Sequence, residues 1–273
     1  MTCGEISEVR RVLRRLGDGG PRSVRVRENG NCAVYVGDRL VVRVGHSWPL
    51  DARGELHCWS VARDAGVPAP ERIDEGRLPG GRTYVAYVYV MGTPAGTPAS
   101  LAAAGAVLAR LHTVPGEHFP AVAHNLPRRR DRYRTAVRCA RAAGLAPGGL
   151  AHRCLLRAAD DWRRSREVAA HGDFRTPNLV VRGRGVRAVL DWSDARAASP
   201  ESDLGQLGPG QLRPLLRGYL DRARRAPDLE LVAGHMLARH LALEAAGVFP
   251  AGTSAALARR FGPGLSRGRW TVA

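Results

Sequence analysis

The segment HGDFRTPNLVVRGRGVRAVLDWSDA, running from His171 to Ala195, constrains the chain more than any other. It sets Asp173, Asn178 and Asp191 around an expected tight hairpin. Two β-prone apolar runs, Leu179 to Val181 and Val186 to Leu190, are separated by the turn-like Gly183-Arg184-Gly185. Folding back at Arg184 and Gly185 places Asn178 roughly opposite Asp191 in an antiparallel pair. Cross-strand neighbours lie about 5 Å apart, so the side-chain oxygens of both can reach one hard cation. An oxygen-only Asn/Asp pair fits Mg²⁺, which takes few protein ligands and completes its shell with substrate phosphates and water. Asp173 lies just before the first strand, close enough to accept a proton from a group bound at that cation. The chemistry implied is phosphoryl transfer.

The chain of 273 residues has room for one large domain or two lobes. No apolar run is long enough for a membrane span, and the acid at Glu5 without a following apolar stretch argues against a signal peptide. Five scattered cysteines form no CxxC, as expected of free thiols in a cytoplasmic protein. The net charge is +17, and all 42 bases are Arg. A GC-rich genome explains Arg in place of Lys but not the excess over 25 acids. Attraction for anionic partners such as nucleotides is a functional reading. The runs Arg10 to Arg15, Arg128 to Arg134 and Arg163 to Arg166 have few interleaved aromatics. They read more simply as solvated helix faces than as a nucleic-acid surface.

Periodicity gives an amphipathic helix over the first ~17 residues, with Ile6, Val9, Leu13 and Leu16 on one face. Strands follow at 22–27, 32–36 and 40–44, then a helix at 51–65 with Asp51 as N-cap, then strands at 71–77 and 83–91. Beyond Met91-Gly92-Thr93-Pro94 the pattern turns helical: a helix capped by Ser100, then helices at 129–144, 148–168, 211–225 and 228–246. The expected fold is α+β with two lobes: a nucleotide-binding sheet lobe with one helix, 1–91, and a larger helical lobe, 92–273, holding the catalytic loop and acceptor site.

The pattern HxDxxxxN, a short hairpin and a further Asp is the core of kinase-like sites. With Gly172 after the His and DWSDA as the second element, the chain resembles the aminoglycoside phosphotransferase family of antibiotic kinases. VVRVG (41–45), GELHCWSVARDAGVPAP (54–70), VLARLHTVP (107–115) and SPESDLGQL (199–207) look like further family segments, in the family's order. The resemblance implies a bilobal protein-kinase-like fold and transfer of the γ-phosphate of ATP or GTP to a small hydroxyl-bearing acceptor. It implies Asp173 as the base that orients and deprotonates the hydroxyl, with Asn178 and Asp191 holding Mg²⁺. His171 is expected to brace the loop rather than move a proton, and Asp203 to hydrogen-bond the loop from behind. Glu201 and Asp194 stand either as surface acids or as acceptor contacts.

This sequence departs from the family pattern on the nucleotide side. Arg43 stands where Lys normally clamps the α- and β-phosphates; guanidinium is a competent phosphate ligand but needs more room. Glu55 is its natural ion-pair partner, and an Arg facing solvent from the strand is the competing reading. The phosphate-covering hairpin has one Gly, which assigns Gly30 and Asn31 backbone contacts, and the base is expected beside the backbone of Tyr89 to Met91. Gly172 replaces the Arg with which protein kinases sense a phosphorylated activation loop, and no APE-like segment follows, so an acceptor smaller than a protein is implied.

A polycationic aminoglycoside needs an acid-lined pocket, built in this family largely by the C-terminal helices. From residue 196 onward the acids are Glu201, Asp203, Asp221, Asp228, Glu230 and Glu244, among many Arg. A cationic acceptor and a less charged antibiotic such as a macrolide, peptide or nucleoside are therefore both open. The leading expectation is an antibiotic O-phosphotransferase conferring resistance. The alternatives are a kinase of a primary or biosynthetic metabolite and, from another class, an inactive nucleic-acid-binding relative. The sequence leaves monomer and dimer equally open.

Overall fold

A computed structural model describes residues 3–18, 25–29, 32–45, 52–119 and 126–265. The chain divides into two compact units, Met1–Arg53 with Ala69–Gly92, and Gly54–Pro68 with Thr93–Ala273.

The first unit is an antiparallel sheet with a helix on one face. Its strands are β1 (Arg25–Asn29), β2 (Cys32–Val36), β3 (Leu40–Gly45), β4 (Arg72–Arg77) and β5 (Thr83–Val88), in the order β1-β2-β3-β5-β4. Strand alternation sends Leu40, Val42 and Val44 of β3 into the core while Val41 and Arg43 are only partly buried. Helix α1 (Cys3–Arg15) lays Val9 and Leu13, both fully buried, into the same cluster. The Asp18 carboxylate ties the chain after that helix to the sheet by accepting the Arg39 N–H at 2.7 Å. The first strand is described over Arg25–Asn29, residues 22–24 of the expected strand lying outside the described residues, and the last ends at Val88.

The second unit contains α2 (Ala52–Asp64) from Gly54 onward, and Cys58 and Ala62 of that helix join its core. Its remaining helices are α3 (Pro98–Leu111), α4 (Leu126–Cys139), α5 (Leu150–Arg164), α6 (Pro200–Leu204), α7 (Pro209–Leu220), α8 (Leu229–Ala245) and α9 (Thr253–Leu265). Short strands interrupt them: β6 (Thr93–Pro94), β7 (Val168–Ala170), β8 (Leu179–Arg182), β9 (Gly185–Val189) and β10 (Arg196–Ala198). Asp51, expected to cap α2, lies outside the described residues. Helix α3 is capped by Thr97 and not by Ser100. Pro98 sits at the helix start, where its missing N–H costs nothing. Ser100 then completes a reciprocal capping box: its N–H reaches Thr97 Oγ1 at 3.2 Å, and its Oγ accepts the Thr97 N–H at 3.0 Å.

Two helix pairs approach closely through glycine. A Cβ on Gly105 of α3 would lie 2.0 Å from the Leu215 carbonyl oxygen of α7, and one on Gly218 of α7 would lie 1.8 Å from the Ala102 oxygen of α3. Gly234 of α8 likewise faces the Cys154 carbonyl of α5, at 2.0 Å from where its Cβ would be. These contacts pack α3 closely on α7 and α5 closely on α8.

Candidate active site

The loop at 171–178 leaves β7, which pairs antiparallel with β10, so the two flanks of the 171–195 segment are held against one another. Gly172 has φ of 79°, and a Cβ there would lie 2.1 Å from the Asp194 carbonyl oxygen. No side chain fits that approach. Beneath the loop, the buried Asp203 carboxylate accepts the N–H groups of His171 at 2.8 Å and Gly172 at 2.6 Å. His112 Nε2 lies 3.2 Å from the same carboxylate, and its Nδ1 lies 2.9 Å from the Tyr219 hydroxyl. Burial alone would raise the Asp203 pKa. The hydrogen bond and charge of His112 and the Gly172 N–H overcome it and hold the carboxyl below its ordinary value.

His171 is fully buried against Trp192, with ring centroids 4.7 Å apart. Its Nδ1 accepts the Asp173 N–H at 3.2 Å, which leaves Nε2 to donate to the Leu190 carbonyl at 3.0 Å. Both ring nitrogens are thus occupied by backbone, and the ring locks the loop to the end of β9.

Asp173 and Asn178 are brought together. The Asn178 amide nitrogen donates to the Asp173 backbone oxygen at 2.9 Å and to its Oδ2 at 3.0 Å. Two oxygen acceptors fix the amide orientation, and Asn178 Oδ1 accepts no hydrogen bond from a described residue. That atom is the one available to a cation. Arg175 Nε also reaches Asp173 Oδ2, at 2.8 Å, from a side chain that is 41% exposed.

The hairpin register differs from the expected one. Leu179 pairs with Val189 and Val180 with Ala188, but Val181 pairs with Val186, so Arg187 is bulged out. The turn is Gly183-Arg184, with Gly183 at φ of 62°. Asn178 therefore faces Leu190, whose N–H donates to the Asn178 carbonyl at 2.8 Å, and Asp191 falls one residue further on. There Asp191 adopts φ of 61°, alone among non-glycine described residues, and its Oδ1 accepts from Ser193 Oγ at 2.8 Å. A left-handed residue directly after a strand is costly for most side chains and tolerated by Asp. Such strain is a feature of functional turns. The donor atoms of Asn178 and Asp191 are all oxygen, which suits a hard cation such as Mg²⁺.

Other expected residues are placed as follows. Arg43 lies mid-strand in β3, between Val34 and Val85 of the neighbouring strands. Glu55 is buried in the first turn of α2. Gly30 and Asn31 lie outside the described residues. The Tyr89 N–H is bonded to the Arg39 carbonyl at 2.7 Å, whereas the N–H groups of Val90 and Met91 bond to no described residue. Met91 is 70% exposed. Glu201 is no surface acid: it is fully buried, bridged by both guanidinium nitrogens of Arg225 at 2.7 and 3.2 Å, and it accepts the Asp228 N–H at 2.9 Å.

Sequence reading did not single out His112, Tyr219 or Arg175. His112 stands inside the VLARLHTVP segment, a signal available but unassigned, and Arg175 stands inside HGDFRTPN. Nothing in the linear pattern links His112 to Asp203.

A family model described as the phosphotransferase enzyme family matches residues 12–235. No curated protein sequence matches the chain. Among solved structures, the chain is similar to the macrolide 2'-phosphotransferase MphH from Brachybacterium faecium, at 21% identity and a TM-score of 0.58, over 92% of this chain and 96% of that one. It is similar to an aminoglycoside phosphotransferase, APH(2")-IIia, in complex with GDP and kanamycin, at 16% identity and a TM-score of 0.62, over 90% and 92%. A choline/ethanolamine kinase family protein from Mesorhizobium loti gives 20% identity and a TM-score of 0.60, over 96% and 92%. These likenesses show a shared protein-kinase-like fold.

Proposed function

Because the chain belongs to the phosphotransferase enzyme family, we propose that it transfers the γ-phosphate of ATP or GTP to a hydroxyl of an antibiotic or similar natural product. The observation that carries this reading is the Asp173–Asn178 pair, fixed on a loop whose backbone is held by Asp203. In the reaction the acceptor oxygen bonds to the γ-phosphorus, the bond to the β,γ-bridging oxygen breaks, and the nucleoside diphosphate leaves. The hydroxyl proton passes to Asp173. Phosphoryl transfer depends mainly on alignment and charge stabilisation, so the rigidity of the loop is itself catalytic.

Asn178 Oδ1 and the Asp191 carboxylate would hold Mg²⁺, which supplies positive charge against the nucleotide phosphates. On the first unit, Arg43 is assigned to the α- and β-phosphates. Gly30 and Asn31 are assigned to the phosphate-covering turn. The open N–H groups after Tyr89 and the exposed Met91 suit the edge and face of a purine. A nucleotide donor is supported by the GDP complex of the similar aminoglycoside phosphotransferase. No helix among the described residues is long and apolar enough to cross a membrane; the proposed place of action is the cytoplasm.

The test is transfer of labelled phosphate from ATP and GTP to an antibiotic panel by the purified protein, alongside the susceptibility of cells expressing it. Asp173→Ala should lower transfer by about 10²–10⁴-fold, and Asp191→Ala should remove the metal dependence of nucleotide turnover. Full activity in either variant would overturn its assignment. A kinase of a metabolite is the second reading, favoured by one observation: Glu201 and its neighbours on the C-terminal helices are engaged within the fold.

A further inference from the structure

Arg175 is held at two points on the loop that carries the proposed base. Its backbone is extended, with φ of −143° and ψ of 161°, and its carbonyl accepts the Asn178 N–H at 2.9 Å across the turn Thr176–Asn178. Pro177 stiffens that turn, and Phe174 on the other side is fully buried, so the Arg175 backbone has little freedom. The side chain is then fixed at Nε, which donates to Asp173 Oδ2 at 2.8 Å. The Asn178 amide donates to the same oxygen at 3.0 Å. Guanidinium, proposed base and proposed metal ligand thus meet at one atom.

An arginine that only braces a carboxylate does so best with two parallel N–H bonds. Arg175 uses Nε alone, and its two terminal nitrogens bond to no described residue. They lie two bonds beyond Nε, within about 5 Å of Asp173 Oδ2, on a side chain that is 41% exposed. An ion pair at such exposure adds little to stability, so stability does not account for it. The chemistry supplies a reason. The reacting hydroxyl must touch Asp173 and the γ-phosphorus at once, which brings the phosphoryl oxygens within reach of those nitrogens. The phosphoryl group in transfer spreads its negative charge over three equatorial oxygens. One Mg²⁺ on Asn178 and Asp191, with Arg43 on the α- and β-phosphates, would leave part of that charge unanswered.

We propose that Arg175 is a catalytic residue: tethered to Asp173 by Nε, it binds an equatorial oxygen of the γ-phosphoryl group through its terminal nitrogens during transfer. The proposal rests on the phosphotransferase reading, with Asp173 as base. The bond changes are those of that reaction, and Arg175 keeps its own protons throughout. It supplies charge, from a position fixed before the substrates arrive. A contact made with the phosphoryl group in flight, and not with the departing diphosphate, raises kcat and leaves diphosphate affinity unchanged.

The experiment compares the wild type with Arg175→Gln, Arg175→Lys and Asp173→Ala, using ATP and GTP with Mg²⁺. It measures kcat and KM for nucleotide turnover, and the affinity for ADP and GDP with and without aluminium fluoride, an anion that mimics the phosphoryl group in flight. Arg175→Gln should lower kcat by about 10²–10³-fold, the scale of one preorganised donor, with KM for nucleotide and diphosphate affinity unchanged. Arg175→Lys should restore part of kcat, because an ammonium carries the charge without the fork; it also carries the comparison if thermal melts show that Arg175→Gln does not fold. Aluminium fluoride should tighten diphosphate binding in the wild type. Asp173→Ala should keep most of that gain and Arg175→Gln should lose it, which separates contact with the phosphoryl group from an effect passed through the base. Equal losses in the two variants would make Arg175 a prop for Asp173 and overturn the proposal. Unchanged or faster turnover in Arg175→Gln overturns it too, as does an effect confined to KM. Failure of the phosphotransferase reading looks different: the wild type binds neither nucleotide, or turnover survives Asp173→Ala unchanged.

Discussion

Asp203 decides whether the reactive side chains can be held still. Its carboxylate gathers two consecutive backbone N–H groups and His112 at one buried point, directly beneath the residues that precede Asp173. Charge-assisted bonds of this kind are stronger than neutral ones, and a buried donor left without a partner costs about 1–3 kcal/mol. Asp203→Asn keeps the shape but removes the charge and one acceptor. It should lower stability by about 2 kcal/mol in urea denaturation and reduce kcat more than it changes KM for nucleotide. The acid limb carries a second signature. Because the folded pKa is depressed, the ionised form's stabilisation is complete above the unfolded carboxylate value, about 3.9. It is lost as pH falls below that value through the folded pKa. The wild type should therefore lose stability more steeply below about pH 4 than Asp203→Asn. Parallel acid limbs would show that the carboxylate charge does not stabilise the loop.

Elements place that residue, and here the glycines of α3 and α7 matter most. His112 caps α3 and Tyr219 belongs to α7, so their hydrogen bond requires the helices to lie as close as Gly105 and Gly218 allow. Gly105→Ala puts a methyl 2.0 Å from the Leu215 oxygen and must part the helices. Overpacking typically costs about 1–3 kcal/mol, which outweighs the gain of about 1 kcal/mol in helix propensity. Gly210→Ala, in the first turn of α7 with nothing within 4 Å, should instead be neutral or stabilising. Thermal melts of the two variants give opposite signs if the close approach sets the packing, and equal small shifts would refute it. None of this was legible in the linear pattern, where Gly105 sits in an Ala-rich run like any small residue. Strands β2 and β3 were legible to the residue or nearly so, because alternation between a core face and a partly open face is written into Leu40 to Val44. The bulge at Arg187 was not, since a skipped residue leaves the apolar runs unchanged. Helix α9 was missed because its start depends on Glu244, a cap supplied from another helix. At the site, Asp173 and Asn178 are legible from spacing, and Asp203 from the resemblance of SPESDLGQL to a family segment. His112 acquires meaning only from Tyr219 and Asp203, partners far away in sequence.

For the whole molecule, charge is the property that local structure does not consume. Pairs such as Arg225 with Glu201 and Arg157 with Asp228 neutralise bases and acids together, so the formal excess stays at +17. Such an excess attracts anions over distances set by salt: the Debye length is about 30 Å at 0.01 M and about 8 Å at 0.15 M. ATP and GTP are anionic. Encounter of both with the enzyme should therefore slow as salt rises, while the chemical step, set by fixed distances around Asp173, should not change. Raising monovalent salt from about 20 to 200 mM should lower kcat/KM for nucleotide by about tenfold, the low end of electrostatic steering, with kcat constant. A polycationic acceptor would respond with the opposite sign, its kcat/KM rising as repulsion is screened, and a neutral one would barely respond. One salt series across acceptors of different charge thus reads the field directly. A kcat/KM for nucleotide that does not move with salt would mean that the surplus arginines stand too far from the site to act on it.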